Sequence, residues 1–203
     1  MVGAAAATPC GVGIFAASAG AALLAGDEEK GTLDLIMAHP VSRTALFWGR
    51  LLGFALATAV ILFAGWLGWL VPAGSSGLGL SALELLLPCL SLFAVLVLFG
   101  ALALLLSLLL PASRMGGMLA GALLVGNYLV LGLANMNSKL EPIVKLTPLY
   151  YYQGGYAVKG VNWGWLAGLL GAALLLGLGA WGVFQRRDIR VGGEHGWGLP
   201  GLV

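Results

Sequence analysis

The sequence has little charge. Lys, Arg, Asp and Glu together make up 9% of 203 residues and the net charge is +2, too small a balance to signal nucleic acid, whose recognition needs a dense basic face. Cysteine is nearly absent. Cys10 and Cys89 both lie in apolar runs, form no metal-ligand spacing, and read as unpaired buried thiols acting as small hydrophobes. The two histidines, His39 and His195, are not in an H-E-x-x-H pattern, and no carboxylate pair lies inside an apolar run. That excludes the ligand sets of an intramembrane protease. None of the four lysines follows a glycine, so the Gly-Lys pair of a phosphate-binding loop is missing. This chain therefore cannot hydrolyse ATP as P-loop enzymes do, and it offers no site for a cofactor or metal of its own.

What is present is oil. Apolar residues make up 60% of the chain, the mean hydropathy is +0.99, and the uncharged runs reach the roughly 20 residues that a bilayer-spanning helix needs. The apolar residues run all round each predicted helix, unlike the one-sided stripe of a soluble helix, and too continuously for the alternating strands of a membrane barrel. The pattern predicts an all-α polytopic membrane helix bundle, one transmembrane domain over 1–203. Five spans are expected at about 9–26, 44–71, 85–110, 115–134 and 163–184. Pro9 stands near the expected start of the first and residues 27–30 stop it. Ser42 is a candidate N-cap for the second, which Pro72 closes, and Pro88 and Pro111 bracket the third.

If the five spans alternate, Lys30, Arg43, Arg50, Arg114, Arg186, Arg187 and Arg190 all fall on one side, which the positive-inside bias makes cytoplasmic. Trp66, Trp69, Trp163 and Trp165 then mark the outer interface, and Trp48 and Trp181 the inner one. This orientation puts Met1 outside and the C-terminus inside. It leads to the expectation of a further helix upstream, the other reading being a true N-terminus that inserts with its uncharged end outward.

The one long polar island is residues 26–50. It holds Asp27, Glu28, Glu29, Lys30, Asp34, Arg43 and Arg50, with His39 beside them. The run Glu28, Glu29, Lys30, Gly31, Thr32, Leu33, Asp34, Leu35, followed by His39, Pro40, Val41, Ser42, Arg43, resembles the signature segment of ABC-2 type transporter permeases. Two further stretches support the resemblance: Leu146 to Tyr152, similar to the leucine-x-proline-aromatic segment before the family's last helix, and Phe184 to Ile189, similar to its closing F-x-R-R-D-I. The family usually has six helices, and this chain supplies what look like the second to the sixth.

The resemblance implies the membrane-spanning permease subunit of an exporter in the cell membrane. Such a subunit works as a dimer with a second permease copy, and separate ATP-binding subunits carry the ATP. It also implies a cytoplasmic coupling segment at 27–43, where Glu28, Glu29, Gly31, Thr32, Leu33, Asp34, His39, Pro40 and Arg43 would meet the ATP-binding subunit. The residues agree in part, because Leu33, Ile36 and Met37 share one helical face and Pro40 ends it. The other reading of these charges is an ordinary solvated inner flank. At the level of the whole chain the competing function is a non-transporting membrane anchor or assembly subunit that recruits a cytoplasmic partner.

Outside the island, Asn127 sits mid-span and is a candidate either for the substrate path or for an interhelical hydrogen bond. Glu84, at the outer end of the third span, either lines the exit or is a solvated flank. Residues 135–162 hold two prolines and four tyrosines and read as short amphipathic helices at the outer interface, a lid by the family analogy or an aromatic anchor. Gly49 and Gly53, Gly117 and Gly121, and Gly164 and Gly168 give G-x-x-x-G spacings suited to close helix packing or a dimer interface.

Overall fold

A helix with no polar face must bury all its sides, in lipid or against other helices. In the computed structural model, which describes residues 2–29, 42–75, 81–110, 113–134 and 141–186, both solutions occur. The long helices are α1 (Val2–Glu29), α2 (Arg43–Ser75), α3 (Ala82–Leu109) and α4 (Ser113–Ala134). After one short turn, α5 (Glu141–Val144), and two 3₁₀ turns (Pro148–Tyr151 and Gly154–Lys159), the chain ends its described part in α6 (Trp163–Arg186). Among the described residues, four helices are long and apolar enough to cross a membrane, within α2, α3, α4 and α6; α1 contributes the shorter apolar stretch Val12–Leu24. The chain is an all-α, multi-pass membrane helix bundle.

The pillar is α3, which packs against α1, α2, α4 and α6. Ala94, Val95, Leu96, Leu98, Phe99, Ala101, Ala103, Leu104 and Leu108 are all buried along it. Its crossing with α1 is close because both helices place a glycine there. A Cβ added to Gly20 would lie 2.8 Å from the Cα of Gly100, inside any real contact distance. On its other side Gly100 meets the ring of Phe54 from α2, so three helices share one contact. A second close approach, Gly116 against the backbone of Ser107, seats α4 on α3.

The helix ends differ from the sequence reading at three places. Pro9, expected near a helix start, lies well inside α1, and α1 continues through Asp27 to Glu29 rather than stopping at residue 26. Pro72, expected to end the second span, is followed by three more helical residues. A proline forfeits one backbone hydrogen bond, but breaking the helix near a membrane exposes several peptide groups with little water to satisfy them, so the helix carries on. Charges, likewise, do not stop a helix that has already cleared the hydrocarbon; at 28 residues α1 is about 42 Å long against a core of about 30 Å.

The G-x-x-x-G pairs are not what holds the bundle. Gly49, Gly53, Gly121 and Gly168 have nothing within 4 Å of where a Cβ would stand, and Gly117 alone of those six touches a neighbouring helix, with Ala21 at 3.1 Å.

Candidate functional site

The chain's one polar island is bracketed by α1 and α2, and the way their ends are seated defines the site. Ser42 caps α2: its Oγ accepts from the Ala45 amide at 3.2 Å and its carbonyl accepts from Leu46 at 3.0 Å. The first turns of α2 then place Phe47 and Leu51 into a buried cluster with Leu24 from the end of α1, Leu104 and Leu108 from the end of α3, and Ala180 and Phe184 from the end of α6. Phe47 is fully buried; its ring centroid stands 5.9 Å from that of Phe184 and 5.6 Å from that of Trp48. Above this apolar floor, Gln185 Nε2 donates to Thr44 Oγ1 at 2.7 Å. The island's two flanks therefore stand on one floor that also carries the ends of α3 and α6.

Of the residues singled out in the sequence, Glu28 and Glu29 form the last turn of α1 and Arg43 is the first residue of α2, half-buried. Gly31, Thr32, Leu33, Asp34, His39 and Pro40 lie outside the described residues, as do Arg187 to Arg190 of the closing motif. Thr44 and Gln185 were not singled out. The signal available was Gln185 sitting inside the closing motif, next to Phe184.

The opposite, far end of the bundle is organised by polar side chains. Ser91 is fully buried in α3, and its Oγ accepts from the backbone amide of Gln153 at 3.0 Å. The Gln153 side chain then exchanges two hydrogen bonds with the backbone of Asn162: Nε2 donates to its carbonyl at 3.1 Å, and its amide donates to Oε1 at 2.6 Å. Asn162 in turn caps α6, with Oδ1 accepting from Gly164 and Trp165 at 3.1 and 3.3 Å. The loop can close this tightly because Gly154 and Gly160 adopt φ of 46° and 136°, which a side chain would oppose. Nearby, Tyr151 packs edge-to-face against both Tyr150 and Trp165, Tyr150 and Trp165 meet at a tilt, and the Tyr151 hydroxyl donates to the Lys145 carbonyl at 2.9 Å. Burial, with the Cys89 thiol adding to it, pushes the Tyr152 phenol above its ordinary range.

Glu84 stands at the start of α3 in a capping box. Its carboxylate accepts from the Ser81 amide at 2.7 Å, and its own amide donates to Ser81 Oγ at 3.3 Å. Asn127 donates Nδ2 to the Leu123 carbonyl of its own helix at 2.7 Å, and its Oδ1 is buried without a hydrogen-bond partner among the described residues. Two grooves open between the helices of the far half: one of about 190 Å³ between α2 and α3, beside Phe63, Cys89 and Phe93, and one of about 290 Å³ between α6 and the first 3₁₀ turn, beside Tyr151 and Trp165. Neither of these two grooves is lined by Glu84 or Asn127. Cys89 is a free thiol. No cluster of three potential metal ligands occurs among the described residues.

A model of the ABC-2 family transporter proteins matches residues 7–189, which takes in α1 from residue 7, the whole of α2 to α6 and both flanks of the island. The chain belongs to the ABC-2 transporter family. No match is found among curated proteins. Membership gives this ABC-2 chain a permease role and a place in the membrane as a multi-pass protein, the membrane subunit rather than the ATPase. The island, its flanks and the closing motif of α6 all fall within the matched region.

Proposed function

We propose that this ABC-2 chain moves substrate outward by alternating access, as one of two permease copies driven by separate ATP-binding subunits that grip residues 27–43 from the cytoplasm. Closure of the ATP-binding subunits on ATP displaces that segment. The displacement enters the bundle through the floor formed by Leu24, Phe47, Leu104, Leu108 and Phe184, and tilts α1, α2, α3 and α6 together. The observation that carries this reading is that shared floor: a segment whose two flanks were seated on unrelated parts of the bundle could be pushed without moving it. The cytoplasmic placement rests on the sequence positions of Lys30, Arg43, Arg50, Arg114, Arg186, Arg187 and Arg190, which alternating spans put on one side together with the island.

The double variant Glu28→Ala, Glu29→Ala is expected to insert and fold normally while losing transport and transport-coupled ATP turnover. Unchanged transport in that variant removes the segment from the mechanism. Reconstitution with the co-purified ATP-binding partner separates this reading from a non-transporting anchor: a permease raises ATP turnover when substrate is added, whereas an anchor binds the partner and leaves turnover unchanged.

A further inference from the structure

Among the described residues a polar contact stands at each end of α6, and the coupling reading uses neither. We propose that Thr44 and Gln185 are positioning residues, whose hydrogen bond makes α6 a rod linking the island end of the bundle to the Ser91–Gln153–Asn162 lock at the far end.

α6 has no proline and runs unbroken for 24 residues, about 36 Å, so a displacement at one end reaches the other. At the island end Gln185 is bonded to Thr44 of α2, a contact between positions 141 apart in sequence. At the far end the residue that caps α6, Asn162, is also the one whose backbone pairs with Gln153, and Gln153 is held by Ser91 of α3. Between the two ends the middle of the seam is made of small residues. Leu169, Ala173, Gly177, Ala180 and Phe184 are the buried positions, and Gly177 faces Leu51 of α2, where a Cβ would stand 3.2 Å from Cδ2. The small residues let α6 approach its neighbours closely, Leu169 and Phe184 pack into the core towards its two ends, and the polar end contacts add directional restraints to that packing. A rigid helix with a discrete contact at each end is one physical means of coupling two distant sites.

Its use in transport rests on residues 27–43 being the coupling segment, but the linkage between the two ends does not, and it can be measured without any ATP-binding subunit. Cys89 is the reporter. It lies two residues before Ser91 on α3, next to Tyr152, and the Cys10→Ala background leaves it as the one thiol in the chain. The full-length chain is reconstituted in lipid vesicles and the rate of Cys89 alkylation by N-ethylmaleimide is followed by mass.

Gln153→Leu, which opens the far lock directly, is expected to raise the rate tenfold or more. Thr44→Val is expected to raise it about threefold from the opposite end of the bundle, the shift that follows from losing one interhelical hydrogen bond in a membrane. Gln185→Leu should match it, and the double variant Thr44→Val, Gln185→Leu should exceed neither single, because both remove the same bond. Thr44→Ser, which keeps the hydroxyl, should return the wild-type rate. An unchanged rate in Thr44→Val and Gln185→Leu with a raised rate in Gln153→Leu makes the two ends independent and overturns the proposal. So does an unchanged rate in Gln153→Leu, and so does an additive double variant, which marks general loosening. Normal transport by the Glu28, Glu29 variant alongside the expected labelling pattern removes the coupling reading and leaves the linkage standing.

Discussion

Adding one methyl group at Gly20 tests how closely α1 is seated on α3. A Cβ there would stand 2.8 Å from the Cα of Gly100 and 2.9 Å from its carbonyl carbon, and the carbonyl oxygen is closer still. These are backbone atoms of a buried stretch of α3, so no rotamer change relieves the overlap and the two helices must separate. At Gly100 the same methyl group runs into the ring of Phe54, a side chain only 6% exposed. Overpacking of this kind costs about 1–3 kcal/mol, and the better helix propensity of Ala returns up to about 1 kcal/mol. Because the overlap is with backbone, the upper end of that range applies, and Gly20→Ala should destabilise the bundle by about 2 kcal/mol. Gly100→Ala should cost a similar amount, but Phe54→Leu should restore most of it while restoring nothing to Gly20→Ala. Gly49→Ala and Gly53→Ala, which meet nothing within 4 Å, should cost nothing. The assay is unfolding of the full-length chain in mixed micelles, followed by circular dichroism as the denaturing detergent fraction rises. Equal stability of Gly20→Ala and wild type, with a loss in Gly49→Ala, would refute the α1–α3 crossing.

Asn162→Ala should lower the thermal midpoint in lipid nanodiscs by the equivalent of about 0.5–2 kcal/mol, the usual worth of an N-cap; Asn162→Asp keeps the accepting oxygen and should hold near wild type. The Gln153 pairing survives both changes because it uses the backbone of residue 162. Tyr152 gives a pH test. Its phenol is pushed above its ordinary value, first by burial and then by the Cys89 thiol, so the folded state holds this proton more tightly than the unfolded one. That contribution is complete below the unfolded value of about 10 and is lost as the pH rises through the folded value. Between pH 9 and 11 the unfolding midpoint of wild type should fall more steeply than that of Tyr152→Phe; parallel curves would show that the phenol is not buried.

Much of this bundle could be read from residue types alone, and the limits of that reading are physical. The spans are legible because an apolar residue on every face leaves a helix no place but lipid or the bundle interior. Ser42 is legible as a cap because a hydroxyl ahead of a long helix has one obvious use. Ser81 and Glu84 carry an equally plain S-x-x-E pattern, yet the charge of Glu84 draws attention to the exit rather than to the cap it completes. Proline is a helix stop where water can satisfy the freed peptide groups, whereas in α1 and α2 the surrounding medium favours keeping the remaining hydrogen bonds. Of the glycine repeats only Gly117 meets a neighbouring helix within this chain; the tightest crossing of α1 and α3 pairs one glycine from each, a match that no spacing within either helix encodes. Thr44 and Gln185 fail for the same reason. Each is an unremarkable polar residue at a span end, and only the path of the chain brings them together. Within the site, the family is legible from the island's motif, but the floor that seats its flanks is not.

The helix that the bundle hides most thoroughly is also its oiliest. The mean hydropathy of α3 reaches 2.9, against 1.8–2.1 for α2, α4 and α6, although those three turn far more of their surface outward. A side chain shielded by neighbouring protein has no need of such greasiness in the finished molecule. The composition of α3 makes sense as a travel requirement: it emerges from synthesis before α4 and α6 exist to wrap it, and must reside among acyl chains until they arrive. A substitution such as Leu98→Asn would then be felt first at the translocon, as a failure to enter, and only afterwards as a fault of assembly.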